Sequence, residues 1–476
     1  MTTVERLIFE HSNSTPEKIA LIQGTVVVSY QKLWREIQAF ASWFKANAEP
    51  GDRVVLSASK NVEFVYAYFG AHLAGMICVP IDSETNEARL NRIVYVSQPK
   101  HIIGELRNHG GHMIIPFSEC KLDRSIQINL PGITNVADLL FTTGTTGLPK
   151  GVALTFGNER AAANNINTFI GNTGDDVELL ALPISHSFGL GRLRCVLAKG
   201  ATLVLLGSFA SMKKFYNELE RCGVTGFGMV PASWSYILKM SGERIGQYSK
   251  QLRYIEIGSA FMTLENKQKL MELLPQTHIC MHYGLTEASR SSFLCFNDDV
   301  AHLMSAGKPS PNTEIAVFDE QGERLGANVD GEICVKGGHV CSSYWGVSDD
   351  EFKKDFYDDF FRTGDWGHID ENGYIYLISR KKEMINVGGK KVSPLEVEEQ
   401  LNDIDGIEES ACVGVQDDLL GEVVKAFCVC SKEVDFDQVK KSLFKSLEKY
   451  KIPVFFESLP RLPKTQNGKL QRLLLK

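Results

Sequence analysis

The sequence predicts an α/β protein. A large N-terminal domain of two α/β layers, with a small β-rich subdomain, leads into a small α+β C-terminal domain. Three observations predict it. Short β-branched runs alternate with helix-period segments between residues 52 and 80, and the alternation resumes after residue 177. From Gly307 the texture changes to short β runs split by Gly and Asn. After the basic break Arg380-Lys381-Lys382, a compact mix of helix and strand follows. The expected domains are 1–381 and 382–476.

In order, Val4–His11 reads as a helix and Ala20–Gln23 and Val26–Tyr30 as β runs. Leu33, Ile37, Phe40, Ala41 and Phe44 fall at helical spacing within 30–46. Val54–Leu56 is a strand, Val62–Ala74 a helix and Met76–Pro80 a strand, with Asp82 just beyond it. Residues 135–141 end in Leu139-Leu140-Phe141, a short buried strand before a glycine-rich loop, and 155–170 is helical. The next expected strands are 178–182, 201–206, 226–230, 253–257 and 278–283, with helices 188–198, 212–221, 234–240 and 264–274 between them. In the β-rich part come 315–318, 331–335 and 374–378. Helices 392–401 and 437–448 and strands 410–415 and 423–429 complete the chain. Helices covering a parallel sheet are the expected packing.

Composition narrows the function classes. Hydrophobic residues make up 43% and charged ones 23% of 476, ordinary for a globular protein. A net charge of −7 gives no global field toward nucleic acid or anionic lipid. The eleven cysteines are scattered and form no CxxC pair, which disfavours a zinc motif and fits reduced thiols in a cytoplasmic protein. The N-terminus has acidic residues and no apolar core, unlike a signal peptide. No apolar run reaches the roughly 18 residues of a membrane span.

The chemistry centres on Phe141 to Val152, FTTGTTGLPKGV. Strand, glycine-rich loop and helix is a phosphate-holding order: glycines turn backbone N–H groups inward, hydroxyls add donors and lysine adds charge. Thr142, Thr143, Gly144, Thr145, Thr146, Gly147 and Lys150 are the candidate contacts. Lys150 follows Pro149 and precedes Gly151, so neither the Walker spacing nor G-x-G-x-x-G is present. The loop resembles the phosphate-binding signature of the adenylate-forming superfamily, which comprises acyl- and aryl-CoA synthetases, peptide-synthetase adenylation domains and firefly-type luciferases.

Further segments match that family in order. His282-Tyr283-Gly284-Leu285-Thr286-Glu287 lies at a strand end, where an open α/β sheet faces its ligand. The resemblance implies that Tyr283 packs on adenine and that Glu287 binds Mg²⁺; Gly284 is a candidate nucleotide contact, and Thr286, whose hydroxyl can touch a phosphate, is a candidate catalytic residue with Glu287 and Lys469. Phe361-Arg-Thr-Gly-Asp365 places a carboxylate at a tight turn, suited to a ribose diol; the family uses that aspartate for the ribose. Arg380 carries over as a ribose or phosphate contact, although Ser379 replaces the usual glycine. Lys382 falls at the family's hinge, which implies that the C-terminal domain is mobile, and Gly388-Gly389 resembles its pantetheine tunnel, where a side chain would block a thiol arm. Pro463-Lys-Thr-Gln-Asn-Gly-Lys469 resembles the family's C-terminal loop, whose last lysine bridges carboxylate and phosphate. Weaker matches are Met76–Asp82, Leu182–Gly189 with His186 beside the acyl pocket, Ser259-Ala260-Phe261-Met262 with phenylalanine where proline is usual, and Ser343-Tyr344-Trp345. Phe188, Phe227, Met229 and Phe261 suggest an apolar acid cavity.

The resemblance implies a ligase that uses ATP, Mg²⁺ and coenzyme A. A carboxylic acid attacks the α-phosphate to give acyl-AMP and pyrophosphate, and a thiol then displaces AMP. The sequence ends without an appended carrier domain, so coenzyme A is the expected acceptor, with a separate acyl carrier protein as the alternative. A nucleotide-binding regulator is disfavoured by Lys469 and Glu287. Pro183–Gly189 holds no aspartate to anchor an α-ammonium group, so a fatty or aromatic acid is expected.

Overall fold

The computed structural model describes residues 2–122, 130–142, 150–464 and 470–475. Thr143, Gly144, Thr145, Thr146, Gly147 and Lys469, named above as site residues, lie outside the described residues. The chain forms two compact units, Met1–Glu314 with Val335–Phe361, and Ile315–Cys334 with Arg362–Lys476.

The first unit carries two sheets. In one, the strands Arg53–Ser57 and Ile77–Ile81 are apolar and almost wholly buried, as strands covered on both faces must be. They run parallel to each other and to Val136–Thr142. The spatial order is Ser343–Tyr344, Lys150–Thr155, Val136–Thr142, Ile77–Ile81, Arg53–Ser57, His101–Ile103. The other sheet has nine strands. Its centre, Val177–Leu180, Gly226–Met229, Tyr254–Ile257 and His278–Leu285, is parallel; Ala288–Cys295 and then Lys308–Pro309 extend one side antiparallel. Helix starts are set by side-chain caps. Ser29 accepts from Lys32 N, Asn61 from Phe64 N, and Thr155 forms a reciprocal capping box with Asn158, each worth about 1 kcal/mol. Helices Tyr30–Asn47 and Val62–Leu73 bury Leu33, Ile37, Phe40, Phe64 and Phe69 in a continuous core.

In the second unit, Ile375–Arg380 pairs antiparallel with Phe360–Ile369. A separate sheet joins Lys390–Val392, Ile385–Val387, Gly421–Cys430 and Ile407–Asp417, with Phe455–Ser458 beside Gly421–Cys430. Helices Pro394–Asn402 and Phe436–Leu443 cover it through Val397, Leu401, Val439 and Leu443.

Three expectations change. The glycine-rich loop does not lead straight into a helix: Lys150–Thr155 is a strand that pairs back on Val136–Thr142, with Thr142 opposite Lys150. Val152 and Ala153 are fully buried there, which selects strand over loop. Phe360–Ile369 is a ten-residue strand, so Asp365 sits in a ladder and not at a tight turn. The strand at His278 does not stop at Gly284 but runs to Leu285 and folds back at once. Among the described residues, no helix is long and apolar enough to cross a membrane. The eleven cysteines stand as free thiols.

Candidate active site

The carboxyl ends of parallel strands gather the chemistry of the first unit, as expected for an open α/β sheet. Lys60 follows Arg53–Ser57, Asp82 follows Ile77–Ile81, and the glycine-rich loop follows Val136–Thr142. From the other sheet, Ala181 to Ser187 follow Val177–Leu180, Ser259 and Ala260 follow Tyr254–Ile257, and Tyr283 lies near the end of its own strand. Lys60 Nζ donates to the Ala181 carbonyl at 2.9 Å and ties the two sets of strand ends together.

Lys150 and Glu287, assigned from separate motifs, meet at one ring. Lys150 Nζ stands 4.6 Å from the centre of the Tyr344 ring, and the Tyr344 hydroxyl donates to Glu287 Oε1 at 3.2 Å. The Glu287 backbone is fixed as well, its carbonyl accepting from Cys341 N at 2.7 Å. Burial, and next the Glu287 carboxylate, push the Tyr344 hydroxyl well above its usual range, so it remains a donor. Tyr344 is the residue that sequence reasoning left without a role; the weak match at 343–345 was the signal for it.

The hairpin carrying Tyr283 to Glu287 is held by its glycine and by buried charge. A Cβ on Gly284 would lie 2.5 Å from Arg290 N, so this glycine serves the tight fold-back. Arg290 itself takes φ +57°, an uncommon backbone for a side-chain-bearing residue. Its Nε pairs with Glu256 Oε1 at 3.0 Å, while its terminal nitrogens donate to the carbonyls of Ser187 and Phe188 at 2.8 Å each. His282 Nδ1 lies 2.7 Å from the same Glu256 oxygen, and Arg192 reaches Glu256 Oε2 at 3.2 Å. Arg192 also pairs with Glu178, which accepts from the Tyr254 hydroxyl at 2.6 Å. Burial raises the Glu256 carboxyl, but Arg290, His282 and Arg192 outweigh it and hold the group well below the usual carboxylate range. Gly258 makes room for this packing, since a Cβ there would fall 2.1 Å from the His282 ring.

One buried carboxylate thus locks the Tyr283 strand to the first turn of helix Ser187–Ala198. Removing it leaves the Arg290 guanidinium without its carboxylate, while Arg192 keeps Glu178. Glu256→Ala is expected to lower stability by ~3–5 kcal/mol, read as the shift in denaturant midpoint; a loss under about 1 kcal/mol would mean the network does not brace the hairpin.

His186 is the residue before that helix. Burial, then the Arg89 guanidinium, lower its pKa against the opposing Asp82 carboxylate. Phe188, Phe227 and Met229 are buried. Phe188 packs edge-on to His282 at 4.6 Å, and Gly228 leaves it space on the neighbouring strand. Phe261 is 54% exposed and does not join them. Ser259 adopts φ +74°, strain of the sort that collects at functional sites. Lys60, Arg89, Glu256 and Arg290 were not anticipated. Glu256 could have been flagged, because Tyr254-Ile-Glu256-Ile places a charge inside an apolar run.

In the second unit, Asp365 and Arg380 face each other across the ladder. Arg380 Nε pairs with Asp365 Oδ1 at 2.9 Å, and Arg380 also donates to the Thr363 carbonyl at 2.8 Å. Lys382 is exposed in the turn after that strand. Gly388 and Gly389, at φ +58° and +82°, form the two-residue turn between Ile385–Val387 and Lys390–Val392, which demands positive φ at both positions. Lys464 and Leu470, flanking the C-terminal loop, pair with each other, and Lys464 Nζ reaches Glu409 at 2.5 Å.

A magnesium ion fits the donor set at Glu287. Hard cations take carboxylate oxygens, and magnesium is usually held by one or two of them together with substrate phosphates. Here one carboxylate is already oriented by a tyrosine hydroxyl.

Comparison with known proteins gives the family and the fold. The family model for an AMP-binding enzyme matches residues 8–345, and that for the AMP-binding enzyme C-terminal domain matches 396–469. Feruloyl-CoA synthase of an Amycolatopsis species is 29% identical, over 96% of this chain and 95% of its own. The structure of o-succinylbenzoate CoA synthetase from Bacillus subtilis with its acyl-adenylate intermediate is 28% identical. It superposes with a TM-score of 0.91, covering 100% of this chain and 99% of that one. The same synthetase with ATP and a magnesium ion gives 28% identity and a TM-score of 0.90, over 98% of each chain.

Proposed function

The chain belongs to the AMP-binding enzyme family, and on that premise we propose that it activates an aromatic carboxylic acid and passes it to coenzyme A. It is an ATP-dependent, AMP-forming acid–thiol ligase. The acid's carboxylate attacks the α-phosphorus of ATP and pyrophosphate leaves; the coenzyme A thiol then attacks the acyl carbon and AMP leaves.

Within each unit the residues divide the work. Thr142, Lys150 and the loop between them hold phosphate oxygens, and Tyr344 keeps Lys150 beside Glu287. Glu287 would hold a magnesium ion, which would offset negative charge on those oxygens. Tyr283 offers a ring face to adenine, with Gly284, Thr286, Ser259 and Ala260 around the nucleotide. Asp365, oriented by Arg380, accepts from the ribose hydroxyls. Lys469 bridges the attacking carboxylate and the phosphate. Gly388 and Gly389 leave room for the thiol arm, and Lys382 is the pivot between the working positions of 1–381 and 382–476. Positioning and electrostatics carry most of such a transfer.

The charge balance at His186 carries the choice of acid. Arg89 and Asp82 act on His186, and Asp82 acts on Lys60, whose pKa burial lowers to about 8. Two cations share one carboxylate, so an α-ammonium group would find no counter-ion there, whereas the buried Phe188, Phe227 and Met229 suit an aryl group. Both named relatives act on aromatic acids, by their names. The test is pyrophosphate release with ATP and magnesium across benzoates, cinnamates, fatty acids and free α-amino acids, followed by thioester formation on adding coenzyme A. Aryl acids are expected to lead. An α-amino acid that outruns every aryl and fatty acid would overturn the reading, and thioester formed only on a carrier protein would replace coenzyme A.

A further inference from the structure

Among the described residues, two clusters bring the ligand atoms of a histidine, a cysteine and an aspartate within 4.8 Å of one another: His72, Cys78 and Asp138, and His278, Cys295 and Asp298. The first is sealed and already charge-balanced. His72 lies between Glu5 at 2.8 Å and Asp138 at 3.2 Å, and Arg194 stands 3.6 Å from the other Asp138 oxygen. Burial alone would lower His72, yet Cys78, Asp138 and Glu5 hold it well above its usual range. A divalent ion there would meet a guanidinium and an imidazolium.

The second cluster is open to solvent on one side. Cys295 ends the strand Ala288–Cys295 and lies directly across the ladder from Cys280. His278 is two residues before Cys280, so it shares that face. Asp298 is exposed just beyond, which gives an ion a way in. His278 Nδ1 and Cys295 Sγ are 3.6 Å apart. Zinc-type bonds of about 2.3 Å to sulfur and about 2.05 Å to nitrogen, at a tetrahedral angle, separate the two ligand atoms by about 3.6 Å.

We propose that His278, Cys295 and Asp298 bind a thiophilic divalent cation of the zinc class, with water in the fourth position. Cysteine ligates such an ion as the thiolate. Binding therefore breaks the S–H bond, forms the Sγ–metal bond and releases one proton to solvent. The ion joins the start of the strand His278–Leu285 to the end of its partner. It closes the open end of the hairpin whose turn carries Glu287.

The test uses the full chain, stripped with chelator and titrated with cobalt(II) alone. One equivalent is expected to give a thiolate-to-cobalt charge-transfer band in the near ultraviolet, bleached by zinc, and zinc is expected to raise the thermal midpoint. Cys295→Ser should abolish both, Cys78→Ser should keep both, and Asp298→Asn should keep the band while weakening cobalt binding at least about tenfold. Absence of a band in the wild type overturns the proposal, as does a band that persists in Cys295→Ser. If Cys78→Ser fails to fold, the Cys295→Ser and Asp298→Asn comparison decides by itself.

Discussion

Glu287→Ala is expected to slow pyrophosphate release by about 10²- to 10³-fold, the loss typical of removing one preorganised electrostatic contact. Its remaining activity should need far more magnesium. The structure supports a local effect. Glu287 is only partly buried, and its backbone contact with Cys341 survives the change. The strand pairing on either side does not depend on the carboxylate. Tyr344→Phe is the calibrating variant. It removes the hydroxyl that orients Glu287 but leaves the ring under Lys150, so a drop of about tenfold or less is expected, near the value of one hydrogen bond. Initial rates over a magnesium series separate the two. A Glu287→Ala enzyme with wild-type magnesium dependence would show that the carboxylate does not hold the ion.

Much of this site was legible because its motifs are local. The Tyr283–Glu287 segment, the lysine after the glycine-rich loop and the Phe361–Asp365 segment could each be picked out from a few residues. The elements that were missed are the ones defined by their partners. Lys150–Thr155 reads as the tail of a glycine-rich loop until Val136–Thr142 pairs with it. Phe360–Ile369 contains Gly364 at φ +73°, a turn signal that the pairing with Ile375–Arg380 overrides. Nor did any window of sequence place Glu256 between Arg192, Arg290 and His282, because the arginines come from a distant helix and from beyond the next turn. A charged residue is normally assigned to the surface. Only its position inside an apolar strand argued otherwise, and that gives burial without naming the partner. The Lys150–Tyr344–Glu287 contact has the same character, since its three residues are far apart in the chain and meet only when the strand Ser343–Tyr344 docks beside Lys150–Thr155.

Lys469→Ala should divide the reaction in two. Acyl-adenylate formation is expected to fall by about three orders of magnitude, the scale on which a cation delivered to a transferring phosphoryl group acts. In that step two anions, the acid carboxylate and the α-phosphate, must come together, and an ammonium group between them lowers the repulsion. The second step brings a thiol to an acyl carbon that is already activated, so the cation has no comparable task. Thioester formation from supplied acyl-adenylate and coenzyme A is therefore expected to stay within a few fold of wild type. Lys464, at the base of the same loop, separates charge from position. Its ammonium is engaged by Glu409, so Lys464→Ala should cost both half-reactions little if only Lys469 serves the phosphate. Single-turnover measurements of each half-reaction in the two variants decide the matter. Equal losses in both halves for Lys469→Ala would show that the loop acts by holding structure, and the electrostatic role of the lysine would have to be given up.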